Sequence, residues 1–310
     1  MAGKSPLIVI LGPTATGKTQ LAIALVQALN GEIIGADSRQ IYRFMDIGTA
    51  KPTLSQRQQI PHHLVDVVDP DENLGLAQYQ RSVYDTINDI HQRDKLPLLV
   101  GGTGQYITAV VEGWSIPEVP PNYPLREELE AFAAAQGSEA LHQRLQQADP
   151  QTAQATHHRN VRRVVRALEV YLETGTPIST LQQKQPPPYQ ILLLGLEMER
   201  QQLYERADRR VDQMMAAGFL QEVSKLLEMN YNRNLPSMSG LGYKELVAHL
   251  VDNLPLDEAV ANTKTATHDF IRRQYTWFRR HDTGIRWHDV ETLDTDNIIV
   301  ECQQWLEAER

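Results

Sequence analysis

Cysteine and long apolar runs are both scarce in this 310-residue chain. It has one cysteine, Cys302, so neither a disulfide framework nor a thiolate zinc site can be built. No apolar run approaches the roughly 18 residues of a membrane-spanning helix. The apolar run near the N-terminus is also too short for a signal peptide. These absences predict a cytoplasmic protein with no membrane partner.

An excess of positive charge is missing as well. The net charge of −9 argues against extended nucleic-acid binding. Two arginine-rich stretches without acids nevertheless stand out, HHRNVRRVVR at 157–166 and RRQYTWFRR at 272–280. Either stretch alone could be a solvated helix face. Together, with polar and aromatic residues between the arginines, they favour a polyanion that contacts the protein locally.

The segment GPTATGKT at 12–19 matches the GxxxxGK[ST] phosphate-binding pattern. It follows the apolar run LIVIL at 7–11 and precedes a helical pattern, which is the strand–loop–helix order that the motif requires. Backbone N–H groups and the helix N-terminus of such a loop face phosphate oxygens. Lys18 would reach the terminal phosphate, and the Thr19 hydroxyl would reach a Mg²⁺. The loop therefore predicts a polyphosphate ligand but leaves its identity open.

Strand and helix patterns alternate over the first hundred residues. Strands are predicted at 6–11, 32–36 and 97–101, and helices at 18–29 and 76–93. This order indicates an α/β fold in which a parallel sheet is flanked by helices. An apolar run at 191–198 is typical of a further buried parallel strand, and long helical patterns follow at 200–229 and 255–281.

Two proline clusters, at 117–124 and 186–188, bracket a stretch that shows only helical patterns. The simplest interpretation is a sheet domain interrupted by an all-helical insertion, after which the 191–198 strand returns to the same sheet. The predicted domains are a P-loop core of residues 1–116 and 187–310 and a helical insertion of residues 117–186.

Two predicted strand ends could carry chemistry, because open α/β sheets bind ligands there. Asp37 follows the second strand and could be a base, a Mg²⁺ partner or a helix N-cap. The strand at 97–101 runs into GGTG at 101–104, which has no carboxylate. P-loop kinases usually hold the metal with a second strand-end acid, so a kinase is disfavoured. GGTG is either a tight turn or a place where substrate approaches the backbone and bonds Thr103.

Seven ordered segments resemble bacterial tRNA dimethylallyltransferases, also called tRNA isopentenyltransferases. They are GPTATGKT, DSRQIYRFMDIGTAKP (37–52), HHLVD (62–66), GGTGQY (101–106), NVRRVVRALEVY (160–171), LGYKE (241–245) and RRQYTWFR (272–279). The resemblance extends to about residue 280 and includes the insertion. It implies a Mg²⁺-dependent transfer of a dimethylallyl group from dimethylallyl diphosphate to the tRNA anticodon stem-loop, at N6 of the adenine 3′-adjacent to the anticodon. It also implies a monomer.

The resemblance assigns roles residue by residue. The catalytic residues would be Asp37, as the base, with Arg210 and Lys18 stabilising the leaving diphosphate. Thr19 would hold the metal. The diphosphate loop would comprise Gly12, Pro13, Thr14, Ala15, Thr16, Gly17, Lys18 and Thr19.

The same resemblance implies a set of RNA contacts on four segments and one turn. They are Asp37, Ser38, Arg39, Gln40, Thr103, Arg162, Arg163, Val164, Val165, Arg166, Ser239, Gly240, Leu241, Gly242, Tyr243, Lys244, Arg272, Arg273, Gln274, Tyr275, Thr276, Trp277, Phe278 and Arg279. The aromatic residues of the last segment lie at helical spacing, which is more typical of a core than of a stacking surface.

Three other functions remain open. An adenylate isopentenyltransferase would act on free adenine nucleotides, but it would need neither the insertion nor the two arginine-rich stretches. A small-molecule P-loop kinase would lack its second metal-holding acid. A non-enzymatic RNA-binding NTPase module would leave Asp37 and Arg210 without a role.

Overall fold

The computed structural model describes residues 4–281 and 284–308. Residues 1–3, 282–283 and 309–310, which the sequence assigned to the predicted core, lie outside the described residues. The chain divides into a larger unit of Met1–Val111 with Pro188–Arg310 and a smaller unit of Glu112–Pro187. This division lies close to the boundaries drawn from the proline clusters. In the described ranges, no helix is both long and apolar enough to reach across a membrane.

A single parallel sheet organises the larger unit. Among the described residues its strands are β1 Ser5–Leu11, β2 Gly31–Ala36, β3 His62–His63, β4 Leu96–Gly101, β5 Tyr189–Glu197 and β6 Ile285–Asp289, in the order β3-β2-β4-β1-β5-β6. The predicted return of the chain after the insertion is confirmed, because β5 pairs in parallel with β1 and places Leu192 opposite Ile8. All carboxyl ends of these strands therefore meet at the same edge of the sheet.

Helices cover both faces of this sheet and form the smaller unit. In chain order the α-helices are α1 Lys18–Leu29, α2 Leu54–Gln59, α3 Leu76–Gln92, α4 Gly104–Val111, α5 Tyr123–Gln136, α6 Ser138–Ala148, α7 Pro150–Ala155, α8 Val161–Thr174, α9 Ile178–Leu181, α10 Arg200–Ala216, α11 Phe219–Glu228, α12 Tyr243–Asp252, α13 Leu256–Arg280 and α14 Thr295–Ala308. A short 3₁₀ turn spans Ser237–Ser239.

The core has one apolar layer on each side of the sheet, because successive side chains of a strand point to opposite faces. In β1, Val9 packs into the layer formed with α3 and α4. Its neighbours Ile8 and Ile10 pack into the layer formed with α1 and α14. Both faces are buried, so β1 reads as a continuous apolar run rather than an alternating one.

The larger unit differs from the sequence prediction in several parts, and its short elements α2, β3 and α4 were not predicted. The helix expected at 200–229 is two helices, because Gly218 adopts a left-handed conformation (φ +100°) that ends the first one. Helix α12 was not predicted. Beyond residue 281, where no element was assigned, β6 extends the sheet beside β5 and α14 packs in the α1 layer.

The smaller unit consists of helices α5 to α9 apart from one antiparallel bridge, Trp114 to Lys184. Its core is aliphatic and includes Leu141, Leu145 and Val164. Two of its described acids, Glu169 on α8 and Asp149, are at most 1% exposed. The structure therefore gives this unit its own hydrophobic core with two buried carboxylates.

Candidate active site

The phosphate loop joins β1 to α1 and depends on two glycines. Gly12 has φ +141°, and a Cβ there would lie 2.4 Å from the carbonyl oxygen of Leu196 on β5. Gly17, with φ +91°, begins α1 in a left-handed conformation that L side chains rarely adopt. Gly12 is therefore required for conformation and for space, and Gly17 is required for conformation.

Two side chains tie the loop to itself. The carbonyl oxygen of Pro13 accepts hydrogen bonds from Thr16 Oγ1 at 2.9 Å and from Lys18 Nζ at 2.6 Å. A third contact comes from α13, where the buried Gln274 accepts from the Thr14 N–H at 3.0 Å and donates to the Gly102 carbonyl oxygen at 2.8 Å. Gln274, predicted as an RNA contact, is thus a buried link between the loop and the turn after β4.

A group of cations faces the loop. Burial and the positive charge of Arg210 lower the pKa of Lys18 from 10.5 to about 7, against an opposing effect of Asp37. Burial also lowers the pKa of Arg210. Arg206 and Arg209 project from the same face of α10, because residues three and four apart are neighbours on a helix.

These four cations line a polar cavity of about 850 Å³ together with the loop, Thr19 and Asp37. Within the part of the chain that the structure describes, none of the four forms an ion pair with a carboxylate. Uncompensated cations that converge in a partly buried cavity are unfavourable unless an anion joins them. The cavity therefore suits a small polyanion.

Asp37 begins the turn that follows β2. Its Oδ1 accepts from the backbone N–H groups of Arg39 at 2.8 Å and Gln40 at 3.4 Å. Among the described residues, none donates to Oδ2. The sequence left open whether this acid is a base, a metal partner or a cap. The structure shows that one oxygen holds the turn while the other remains available to a ligand.

The GGTG turn is explained by packing. A Cβ at Gly101 would lie 2.0 Å from the Ala36 carbonyl oxygen, and one at Gly104 would lie 2.2 Å from the ring of Trp277. The Thr103 hydroxyl accepts from the Ser38 N–H at 3.0 Å and lies 3.3 Å from the Ser38 hydroxyl. Of the two sequence interpretations, the tight turn accounts for these contacts, and Thr103 fixes the segment that carries Asp37.

A second cavity of about 310 Å³ lies on the other side of Asp37. Apolar side chains such as Val211, Met214 and Phe219 form part of its wall. Polar and charged groups complete the lining, and several were predicted RNA contacts. These are Asp37, Ser38, Arg39, Thr103, Ser239, Gly240, Leu241, Tyr243 and Arg273.

The two cavities meet at a small set of shared residues. Thr14, Ala15, Asp37, Thr49 and Arg210 line both of them. Arg210 Nη1 lies 3.5 Å from the Thr14 hydroxyl at this junction. A polyanion in the larger cavity and a second substrate in the smaller one would therefore meet beside Asp37 and Arg210.

Comparison with known proteins places this arrangement in a family. The model of a family described as IPP transferase matches residues 40–281, well over half of the chain. The chain belongs to the IPP transferase family. A second model, described as Isopentenyl transferase, matches residues 5–69.

Relatives of this IPP transferase match along nearly the whole chain. A protein named tRNA dimethylallyltransferase from Roseiflexus castenholzii is 54% identical over 275 residues, which are 89% of this chain and 90% of the relative. The solved tRNA isopentenylpyrophosphate transferase of Bacillus halodurans is 40% identical, with a TM-score of 0.72, over 99% of this chain and 97% of that one. A eukaryotic dimethylallyltransferase acting on tRNA is 28% identical, with a TM-score of 0.82, over 99% of this chain and 80% of that one.

Some of the residues predicted to contact RNA have side chains inside the core. Val164 and Val165 belong to the core of the smaller unit. In the larger unit Tyr243 and Phe278 are at most 2% exposed. The predicted RNA contact is therefore corrected for the side chains of Val164, Val165 and Phe278, whereas Tyr243 still lines the smaller cavity.

The aromatic residues of α13 serve largely structural contacts. Trp277 Nε1 donates to the Thr108 hydroxyl at 2.9 Å, and its ring stacks on His281. The Tyr275 hydroxyl is bonded to both the N–H and the carbonyl oxygen of Met198, each at 3.2 Å. The interpretation of this spacing as a core pattern accounts for these contacts.

The arginines of the two basic stretches divide into paired and exposed ones. Arg166 donates to the buried Glu169 and to the Val119 carbonyl oxygen, so it supports the smaller unit. Arg272 pairs with Asp269 on its own helix. In contrast, Arg162, Arg163, Arg273 and Arg279 are exposed, as are Lys244 and Thr276. These side chains, together with the exposed Ser239 and Arg272, are available to a large external partner.

Sequence reasoning missed two arginines of the site. Arg206 and Arg209 line the larger cavity, but both lie in the mixed-charge segment ERADRRVD. Two of the three acids in this segment, Asp208 and Asp212, pair with α13 instead, whereas Glu205 lines the same cavity. Helical spacing was the available signal, since residues 206, 209 and 210 share one face of a helix.

Proposed function

We propose that this chain transfers a dimethylallyl group from dimethylallyl diphosphate to N6 of the adenine 3′-adjacent to the anticodon of tRNA, releasing diphosphate. The observation that carries the proposal is the junction at Asp37 and Arg210, where a cationic cavity meets a second, more apolar one. Transfer between two substrates requires such a meeting point.

The larger cavity would bind the diphosphate. Its oxygens would accept hydrogen bonds from backbone N–H groups of the phosphate loop. The positive charges of Lys18, Arg206, Arg209 and Arg210 would stabilise the bound anion. As the allylic C–O bond breaks, negative charge grows on the departing oxygen. Arg210, at the junction, and Lys18, in the larger cavity, would stabilise this charge more strongly than the ground state.

The smaller cavity would receive the adenine, extruded from the anticodon loop. Unstacking a base costs a few kcal/mol and is offset by contacts in the pocket. Arg39 and Arg273 lie at this cavity and are suited to the flanking phosphates. Exposed Arg162 and Arg163 of the smaller unit would add further phosphate contacts.

Asp37 would act as the base. Adenine N6 is a poor nucleophile because its lone pair is delocalised into the ring, so its proton must leave as the new bond forms. The N6–C bond forms, the C–O bond to diphosphate breaks, and the N6 proton passes to Asp37 Oδ2. Oδ1 keeps its bonds to the turn and fixes the orientation of the carboxylate.

The residues present fit a Mg²⁺ that is shared with the diphosphate. Thr19 and Asp37 both offer oxygen atoms to the larger cavity. In the described ranges no group of three acidic, histidine or cysteine side chains could hold a metal unaided. Mg²⁺ commonly takes few protein ligands and completes its shell with phosphate and water. Thr19 would hold the ion, which when bound neutralises charge on the diphosphate.

The test offers radiolabelled dimethylallyl diphosphate and Mg²⁺ together with either unmodified tRNA or AMP. Label should appear in tRNA and map to the adenine beside the anticodon. Label in AMP but not in tRNA would replace the proposal with an adenylate isopentenyltransferase. Label in neither substrate would overturn both.

A further inference from the structure

The loop 45–52 forms the wall opposite the phosphate loop. Gly48 and Thr49 line the smaller cavity, and Thr49 continues with Ala50, Lys51 and Pro52 into the larger one. The position of this loop therefore sets the width of the junction beside Asp37. It contains no regular helix or strand, so other bonds must hold its shape.

Bonds within the loop supply part of that hold, and one carboxylate of α11 adds several contacts from outside it. Glu222 Oε2 accepts from the backbone N–H groups of Asp46 at 2.9 Å and Ile47 at 2.7 Å. Its Oε1 accepts from the Gly48 N–H at 3.1 Å and from the Tyr243 hydroxyl at 2.6 Å. Three successive backbone N–H groups that converge on one point form an anion-binding concavity, and here a side chain of the protein fills it.

The other side of the loop is tied to the turn of Asp37. Gln40 Nε2 donates to the carbonyl oxygens of Thr49 at 3.1 Å and Ala50 at 3.2 Å. The Gln40 N–H in turn donates to Asp37 Oδ1. Glu222 and Gln40 therefore hold the loop from opposite sides, and Gln40 connects it directly to the proposed base.

The loop that Glu222 holds packs directly against side chains of the cavity wall. A Cβ at Gly48 would lie 2.1 Å from the ring of Phe219, and Phe219 lines the smaller cavity one turn before Glu222 on α11. The rings of Phe219 and Tyr243 meet edge to face, 4.9 Å apart. A shift of the loop cannot be absorbed locally, because Gly48 already fills the space against these rings.

We propose that Glu222 is a positioning residue for the acceptor side of the reaction, setting the wall of the smaller cavity through the backbone of residues 46–48. The inference rests on the proposed function only for the kinetic measurement described below. Loss of the carboxylate would leave three loop N–H groups without their acceptor and would move the wall against which the acceptor base must lie. The diphosphate contacts, on the phosphate loop and α10, do not involve Glu222.

The test compares Glu222→Gln with Glu228→Gln, an exposed acid on the same helix that accepts a hydrogen bond from Ser224 and from no other described residue. A glutamine amide turns an N–H toward the loop N–H groups, so Glu222→Gln should displace the loop while keeping the side-chain size. We expect kcat/KM for tRNA to fall by at least about tenfold, while the Kd of inorganic diphosphate stays unchanged. Glu228→Gln should match the wild type in both.

Hydrogen exchange provides an arm that does not depend on activity. Amides of residues 46–48 should exchange faster in Glu222→Gln than in Glu228→Gln, with α1 and the phosphate loop unchanged. If Glu222→Gln does not fold, Glu222→Asp, which keeps the charge but shortens the side chain, takes its place. Unchanged exchange at 46–48, or an equal loss of diphosphate and tRNA use, would overturn the inference. If the wild type transfers no label, the proposed function is overturned. The hydrogen-exchange comparison then still tests whether Glu222 holds the loop.

Discussion

Asp37 uses its two carboxylate oxygens differently. Oδ1 holds the turn after β2 through the N–H groups of Arg39 and Gln40, while Oδ2 has no donor among the described residues. An asparagine can keep the first role, because its carbonyl oxygen still accepts from the turn. It cannot take up a proton at neutral pH. This separation makes the proposed base testable without disturbing the fold.

Asp37→Asn should lower kcat for transfer to tRNA by about 10²- to 10⁴-fold, the usual contribution of a general base. The Kd of inorganic diphosphate and the melting temperature should stay near those of the wild type, because the turn keeps its bonds. Single-turnover transfer, calorimetric titration and thermal melting measure the three quantities. Turnover close to that of the wild type would show that Asp37 is not the base.

Lys18 couples phosphate binding to protonation. Its pKa of about 7 in the free protein arises from burial and from the nearby Arg210. At pH 8 most of the molecules therefore carry neutral Lys18. A bound diphosphate raises the pKa of Lys18, because it adds negative charge beside the amine. Binding should consequently take up a proton at pH 8, and the contribution of Lys18 to affinity should weaken as the pH rises above 7.

We expect the wild type at pH 8 to take up about one proton more than Lys18→Arg on binding inorganic diphosphate, because arginine is already charged. Titration calorimetry in two buffers of different ionisation enthalpy gives the number of protons. The comparison between the two proteins removes the titration of diphosphate itself. Equal proton uptake would mean that Lys18 is already charged in the free protein.

At the scale of an element, α8 carries two kinds of arginine one turn apart. Arg163 is exposed, whereas Arg166 donates to the buried Glu169, which Arg126 also holds. Burial alone would raise the pKa of Glu169, but hydrogen bonds from these two arginines outweigh it and lower the pKa. The helix therefore separates a surface available to RNA from a structural ion cluster.

Arg163→Ala should weaken tRNA binding and reduce the slope of log affinity against log salt concentration by about one, as expected for one lost phosphate contact. Its melting temperature should not change. Arg166→Ala should instead lower the free energy of unfolding by roughly 2 kcal/mol, less than for a fully broken buried pair because Arg126 remains. Filter binding at several salt concentrations and denaturant unfolding measure these effects. A salt slope unchanged in Arg163→Ala would remove this residue from the RNA surface.

At the scale of the whole molecule, a charge cluster at the amino end of β2 stabilises the sheet from the side opposite the site. The side chain of Glu32 is 1% exposed and pairs with Arg93, Lys95 and His63. Burial would raise the pKa of Glu32, but hydrogen bonds from these three partners lower it from 4.5 to about 2. The folded state therefore favours the charged carboxylate more than the unfolded state does.

The stability from Glu32 is fully present above about pH 4.5 and is lost as the pH falls toward 2, because the unfolded chain takes up the proton first. It amounts to roughly 2 kcal/mol after allowing for the solvent around its partners. Glu32→Gln should lose this stability at neutral pH and unfold with a weaker pH dependence between 4.5 and 2. Asp89→Asn, which removes an exposed acid bonded to Arg93, should behave like the wild type. Denaturant unfolding across this pH range is the measurement, and parallel curves for wild type and Glu32→Gln would contradict the prediction.

The sequence predicted those features that short stretches of chain determine. The phosphate loop follows from glycine spacing, because Gly12 and Gly17 are required by local conformation and close backbone approach. The strands follow from apolar runs, and the parallel α/β fold follows from their alternation with helices. The family follows from seven short segments in a fixed order.

Only the tertiary structure determined which of these features meet. Gln274 was predicted to contact RNA, yet it lies 260 residues from Thr14 and bonds its backbone. Glu222 holds a loop 174 to 176 residues away. Arg206 and Arg209 reach the cavity because α10 turns one face toward it. Patterns along a sequence report periodicity and backbone conformation within a few residues, whereas convergence of distant side chains depends on how packed elements place them.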